Sequence, residues 1–194
     1  MSLGAFLEKV VEVLDETGIP YMLTGSLASA FYAVPRATQD IDIVIEAQRE
    51  GVERLVQGLL SAGWYADRDA ALEAWEGQSQ FNAIEPDTGW KADFIIRKDR
   101  VYSREEFRRR ERISLSGVEL AVASLEDVLI AKLEWSRLGD SALQRRDVAQ
   151  LLERTWARLD QEYVGRWVTE LGLEAEWRGA LSKAKLPGPT DAEQ

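Results

Sequence analysis

The stretch from Leu23 to Ile45, LTGSLASAFYAVPRATQDIDIVI, decides how the rest of the chain is read. It begins at the end of a short apolar run, Pro20 to Thr24, with strand character. The run turns at Gly25-Ser26 into Leu27 to Ala33, small helix-compatible residues that Pro35 closes. Asp40, Asp42 and Val44 then alternate with Ile41, Ile43 and Ile45, the period of a strand with one aliphatic face. The opposite face opens with two acids.

Carboxylates at i and i+2 on a strand share a face, so Asp40 and Asp42 repel one another. Two unit charges about 4 Å apart cost roughly 4 kcal/mol at an effective dielectric near 20, and a bound divalent cation reverses that cost. Lys91 to Ile96 (KADFII) sets a third acid, Asp93, in an apolar strand where an unpaired carboxylate is costly to bury. Asp93 can complete the same metal site, or pair with a neighbouring cation such as Arg97. Upstream, Gly25 permits close backbone approach, and the helix that follows offers unpaired N–H groups and a positive dipole end, a place for phosphate. Ser26 adds a hydroxyl donor, and Arg36 and Thr38 add a charge and a further donor.

Composition narrows the chemistry. The chain has 194 residues, 45% of them hydrophobic, enough for one sizeable core with a helical part appended. It contains no cysteine and no histidine, which excludes disulfides, thiolate zinc, cysteine nucleophiles, Ser-His-Asp catalysis and imidazole metal sites. Carboxylates without imidazole favour magnesium or manganese. A net charge of -10 opposes nonspecific attraction to nucleic acid. With no apolar run long enough for a membrane span and no signal-peptide layout, a cytoplasmic location without membrane partners is expected.

Apolar spacing predicts helices over 3–17, 49–62 and 70–75, the first stopped by Gly18 and the second by Gly63. Residues 79–84 and 91–96 read as a hairpin across Glu85 to Gly89. Ser103 and Glu106 suggest a capping box opening an Arg-rich helix, and 113–122 reads as two β-type runs turning at Gly117. Helices are expected over 124–138, 141–155, 160–171 and 173–184. The fold class is therefore α+β: an α/β head over 1–122, a C-terminal helical part over 123–186 packed on it, and a flexible tail over 187–194. The arginines from Arg104 to Arg112 could receive an RNA backbone, but interleaved glutamates favour intrahelical pairing. Trp156, Trp167 and Trp177 suit core packing better than base stacking, and are compatible with a homodimer or partner-protein surface.

Gly25-Ser26, thirteen intervening residues, Asp40-Ile-Asp42-Ile43 and a later apolar-flanked Asp93 together resemble the signature of the DNA polymerase β-like nucleotidyltransferase superfamily. That resemblance implies a small mixed β-sheet flanked by helices, an NTP substrate, and two Mg2+ or Mn2+ ions held by Asp40, Asp42 and Asp93. Ala131-Lys132, Arg137 and Arg145-Arg-Asp147 are similar to motifs of AbiEii-type toxins and minimal nucleotidyltransferases. The similarity implies that Lys132 contacts the triphosphate and that Asp147 orients Lys132 or assists nucleophile activation. Transfer of NMP from an NTP to tRNA, a protein or a small molecule follows, with a toxin role and an antitoxin partner as a further implication. The alternative is a nucleotide-binding or interaction module of the same fold without turnover.

Overall fold

The computed structural model describes residues 2–33, 40–139 and 142–186, the side chains of 142 and 143 excepted. Arg36, Thr38 and the expected tail over 187–194 lie outside the described residues. The chain divides into two compact units, Met1–Leu27 with Ala37–Ala123, and Ala28–Arg36 with Ser124–Gln194.

The first unit is built on a mixed sheet. Helix α1 (Leu3–Thr17) is capped by the Ser2 hydroxyl, which accepts from the Ala5 N–H at 3.3 Å, and stopped by Gly18 at φ 67°. It buries Phe6, Leu7, Val10, Val13 and Leu14. Strand β1 (Tyr21–Thr24) passes directly into α2 (Gly25–Tyr32), and β2 (Asp40–Ile45) follows. Next come α3 (Arg49–Ser61), β3 (Tyr65–Ala66), α4 (Arg68–Glu76), β4 (Gln80–Ile84) and β5 (Lys91–Ile96). Helix α5 (Val101–Arg108) then leads to β6 (Glu111–Leu115) and β7 (Val118–Val122). Among the described residues the strands form one seven-stranded sheet in the order β3-β4-β5-β2-β1-β7-β6. Strand β2 is thus interior to the sheet, antiparallel to β1 and parallel to β5. Its aliphatic face is fully sealed, with Ile41, Ile43 and Ile45 no more than 3% exposed.

Two local expectations need correction. Ser103 does not open α5: the helix begins at Val101 behind an extended Arg100, and the buried Ser103 hydroxyl accepts from Arg100 Nε at 2.9 Å. Strand β3 was not expected, because two residues carry no periodicity to read.

The second unit holds α6 (Leu125–Gly139), α7 (Ala142–Thr155), a 3-10 turn at Trp156–Arg158, α8 (Gln161–Glu170) and α9 (Glu174–Lys183). A reciprocal cap does occur here. The Ser124 hydroxyl donates to Asp127 Oδ2 at 2.7 Å and accepts from the Asp127 N–H, while Tyr163 OH donates to Asp127 Oδ1 at 2.8 Å. That fully buried carboxylate ties α8 to the first turn of α6. Trp167 is buried against Tyr163, which is core packing, whereas Trp156 and Trp177, stacked with centroids 6.4 Å apart, are only half-buried. No helix among the described residues is long and apolar enough to cross a membrane.

The β4–β5 hairpin is closed by Glu85. Its carboxylate accepts from the Thr88 hydroxyl at 2.6 Å, the Thr88 N–H at 3.0 Å and Lys9 Nζ at 3.0 Å. The Thr88 hydrogen bond, then Lys9, hold its pKa below the ordinary glutamate value against the opposing effect of burial. A folded-state pKa below the unfolded one means the contribution is complete above the unfolded value near 4.5 and is lost as pH falls below it. Glu85→Gln should therefore lower the melting temperature at pH 7, with the difference from the parent shrinking as pH is taken below about 4.5.

Candidate active site

The acids lie on one face because of register. In the parallel β2–β5 pair, Asp40 stands opposite Lys91 and Asp42 opposite Asp93. The row extends to Thr24 on β1, paired with Asp42, and to Asn82 on β4, paired with Asp93. Thr24, Asp42, Asp93 and Asn82 therefore line up across four strands, with Asp40 and Lys91 two residues nearer the strand starts on the same face. Strand β2 lies between β5 and β1, so Asp40 and Asp42 do not mark an edge of the sheet.

Gly25 sets the other wall. With φ at 66° it occupies the left-handed region, and a Cβ built there would lie 1.9 Å from Asp42 Oδ2 and 2.5 Å from its Cγ. The Asp42 carboxylate fills the space that a side chain would need, and its Oδ2 accepts from the Ser26 N–H at 3.4 Å at the start of α2. The dipole end expected for phosphate thus already faces a carboxylate.

Lys91, which the sequence reading left without a role, sits among the acids. Its ammonium lies 3.0 Å from Asp93 Oδ2 and 3.8 Å from Asp40 Oδ2. The hydrogen bond to Asp93, then the charges of Asp93, Asp40 and Asp42, hold its pKa above the ordinary lysine value against the opposing effect of burial. Asp93 therefore has its cation on its own strand at i-2; Arg97 instead pairs with Glu46 at 2.8 Å. A same-strand Lys-x-Asp spacing was the signal available for Lys91. Thr24 was also missed: its hydroxyl is buried with no hydrogen-bond partner among the described residues.

In the second unit Lys132 Nζ contacts Asp147 Oδ2 at 3.0 Å and donates to Gln144 Oε1 at 3.3 Å, both charged side chains being largely buried. The basic run on α5 is internally occupied. Arg108 makes two bonds to Glu105 at 3.1 and 2.8 Å, Arg104 pairs with Asp99, and the Arg110 guanidinium lies over the Phe107 ring.

Among the described residues no three acidic side chains stand together closely enough to hold a metal ion as they are placed. The donor chemistry of the patch is nonetheless that of a divalent-ion site: its donors are hard carboxylate oxygens, and an ammonium already lies against two of the acids.

This arrangement is that of the nucleotidyltransferase fold. No family model matches the chain, and no curated protein matches it. Among solved structures, the solution structure of the antibiotic-resistance factor ANT(2'')-Ia is similar over 92% of each chain, with 15% identity and a TM-score of 0.57. The crystal structure of ANT(2'')-Ia with adenylyl-2''-tobramycin is similar over 94% of this chain and 97% of that one, at 15% identity and TM-score 0.53. The lincosamide antibiotic adenylyltransferase LnuA, bound to lincomycin, matches 75% of this chain and 93% of its own, at 13% identity and TM-score 0.52. At these identities the likeness is one of fold.

Two outcomes follow from the local geometry. Gly25→Ala and Gly63→Ala both place a Cβ at positive φ, but Gly63 has nothing within 4 Å. Each should lose about 1–2 kcal/mol for the left-handed backbone, and urea unfolding should show the larger loss at Gly25, where Asp42 must also move. In the second unit, Asp147→Ala strands the Lys132 ammonium in a largely buried site and should cost about 3–5 kcal/mol. The double substitution Lys132→Met with Asp147→Leu should recover most of that loss, read by the same denaturation.

Proposed function

We propose that the chain is a metal-dependent nucleotidyltransferase that moves NMP from an NTP to a hydroxyl of an acceptor and releases pyrophosphate. The observation that carries this reading is Asp42, set opposite Asp93 across β2 and β5 and packed on Gly25 at the start of α2. Asp40, Asp42 and Asp93 would hold two Mg2+ or Mn2+ ions, whose chemistry is to neutralise phosphate charge and to bring attacking and leaving oxygens into line. The Gly25-Ser26 backbone and the Ser26 hydroxyl bind phosphate oxygens at the α2 terminus. Arg36 and Thr38 supply further donors, and Lys132 neutralises triphosphate charge while Asp147 orients its ammonium through the 3.0 Å contact. The acceptor oxygen bonds the α-phosphorus, the α–β bridging bond breaks, and Asp93 takes the hydroxyl proton. We place the protein in the cytoplasm, where NTP and magnesium meet.

For the acceptor, the charge pattern supports a small cationic molecule. A net charge of -10 attracts cations, and two arginines of the basic run that would suit RNA, Arg104 and Arg108, already pair with Asp99 and Glu105. ANT(2'')-Ia with adenylyl-2''-tobramycin and lincomycin-bound LnuA are consistent with this class. The Lys132–Asp147 pair favours a second reading, an AbiEii-like toxin acting on tRNA or a protein and held by an antitoxin.

Incubation with each α-labelled NTP and Mg2+ or Mn2+, in the presence of aminoglycosides, lincosamides, pooled tRNA or cell protein, tests both. Label should move to the small-molecule pool, and Asp42→Asn should reduce transfer by more than about a hundredfold, since loss of outer-shell partners alone costs about 10- to 100-fold. Label on tRNA or protein selects the toxin reading. ATP binding without transfer to any pool would sink the enzyme and leave the binding module.

A further inference from the structure

Four side chains meet where β2 and β5 begin, and the function proposed above uses only the three acids. Lys91 is the fourth. Its ammonium lies 3.0 Å from Asp93 Oδ2 and 3.8 Å from Asp40 Oδ2, so it spans the two strands where a cation shared by those carboxylates has to sit. Its side chain keeps 32% of its surface exposed while that of Asp93 keeps 12%, so the lysine head can leave toward solvent without unpacking the strand.

We infer that Lys91 is a resident counter-ion: it holds Asp40 and Asp93 in the metal-free protein, must withdraw when a divalent cation enters, and so sets the cation concentration at which the site fills. This rests on the metal-dependent reading above. The exchange is favoured because a doubly charged ion interacts with each carboxylate about twice as strongly as a single ammonium does at the same distance. Lysine suits the role: its ammonium is a strongly hydrated point charge on a flexible stem, which regains its water on leaving.

The experiment uses the full chain stripped with EDTA and titrated with Mn2+ alone, unbound ion being counted by electron paramagnetic resonance. Lys91→Met should bind Mn2+ about tenfold more tightly than the parent, the order expected when a like charge about 4 Å from the ion is removed from a partly screened site. In EDTA the variant should melt below the parent, and saturating Mn2+ should close that gap. Lys91→Gln serves as a second variant should the methionine variant not fold. Equal or weaker Mn2+ binding by a folded variant, or an unchanged melting temperature in EDTA, overturns the role of Lys91 alone. Absence of Mn2+ binding by parent and variants alike overturns the metal-dependent function and this inference with it.

Discussion

Strands β2 and β5 lie parallel and in register from Asp40 opposite Lys91 to Ile45 opposite Ile96, and the rest of the molecule follows from that pairing. Because side chains alternate, the register that joins Ile41, Ile43 and Ile45 to Ala92, Phe94 and Ile96 on the buried face must join Asp42 to Asp93 on the other. A slip of one residue would turn the acids into the core. The magnitudes decide the outcome. Burying Ile41, Ile43, Ile45, Phe94 and Ile96 contributes on the order of 10 kcal/mol at about 1.5–3 kcal/mol each. Opposed carboxylates cost roughly 4 kcal/mol before screening. The core therefore imposes the repulsive pair, and the Lys91 ammonium relieves part of it.

Gly25 couples this pairing to the chain reversal next to it. Strand β1 runs straight into α2 with no intervening loop, and only a left-handed residue makes that turn. The missing side chain is what lets Asp42 lie flat against the backbone and reach the Ser26 N–H. One glycine thus satisfies a backbone demand and a site demand together, and substitution there disturbs both.

Much of this was legible in the sequence. The alternation from Asp40 to Ile45, the Gly25 turn and the two hairpins are local patterns, and the structure places those elements within a residue or two of where periodicity put them. What was not legible depends on pairing between distant segments. Lys91 could be seen two residues before Asp93, but its approach to Asp40 needs the parallel register that no turn between β2 and β5 dictates. Ser103 and Ser124 show the same limit from the other side. Both precede an acid by three residues, yet only Ser124 caps, because its partner Asp127 is fixed by Tyr163 from another helix, while Ser103 already lies in the first turn of a helix begun by Val101.

The charge distribution also separates how the two proposed substrates would arrive. A triphosphate approaches a chain carrying a net charge of -10, so long-range forces oppose it and its binding must be assembled locally, from the α2 terminus, lysine side chains and the ions it carries. A cationic acceptor meets the reverse situation, drawn by the summed field and needing few dedicated contacts to be concentrated near the acids. The first contribution acts over a few ångströms and resists salt, whereas the second is screened beyond about 8 Å at physiological ionic strength. Under the proposed function, the nucleotide would be bound through geometry and the acceptor recruited through charge, so that one acid patch would serve the first by holding cations and the second by being negative.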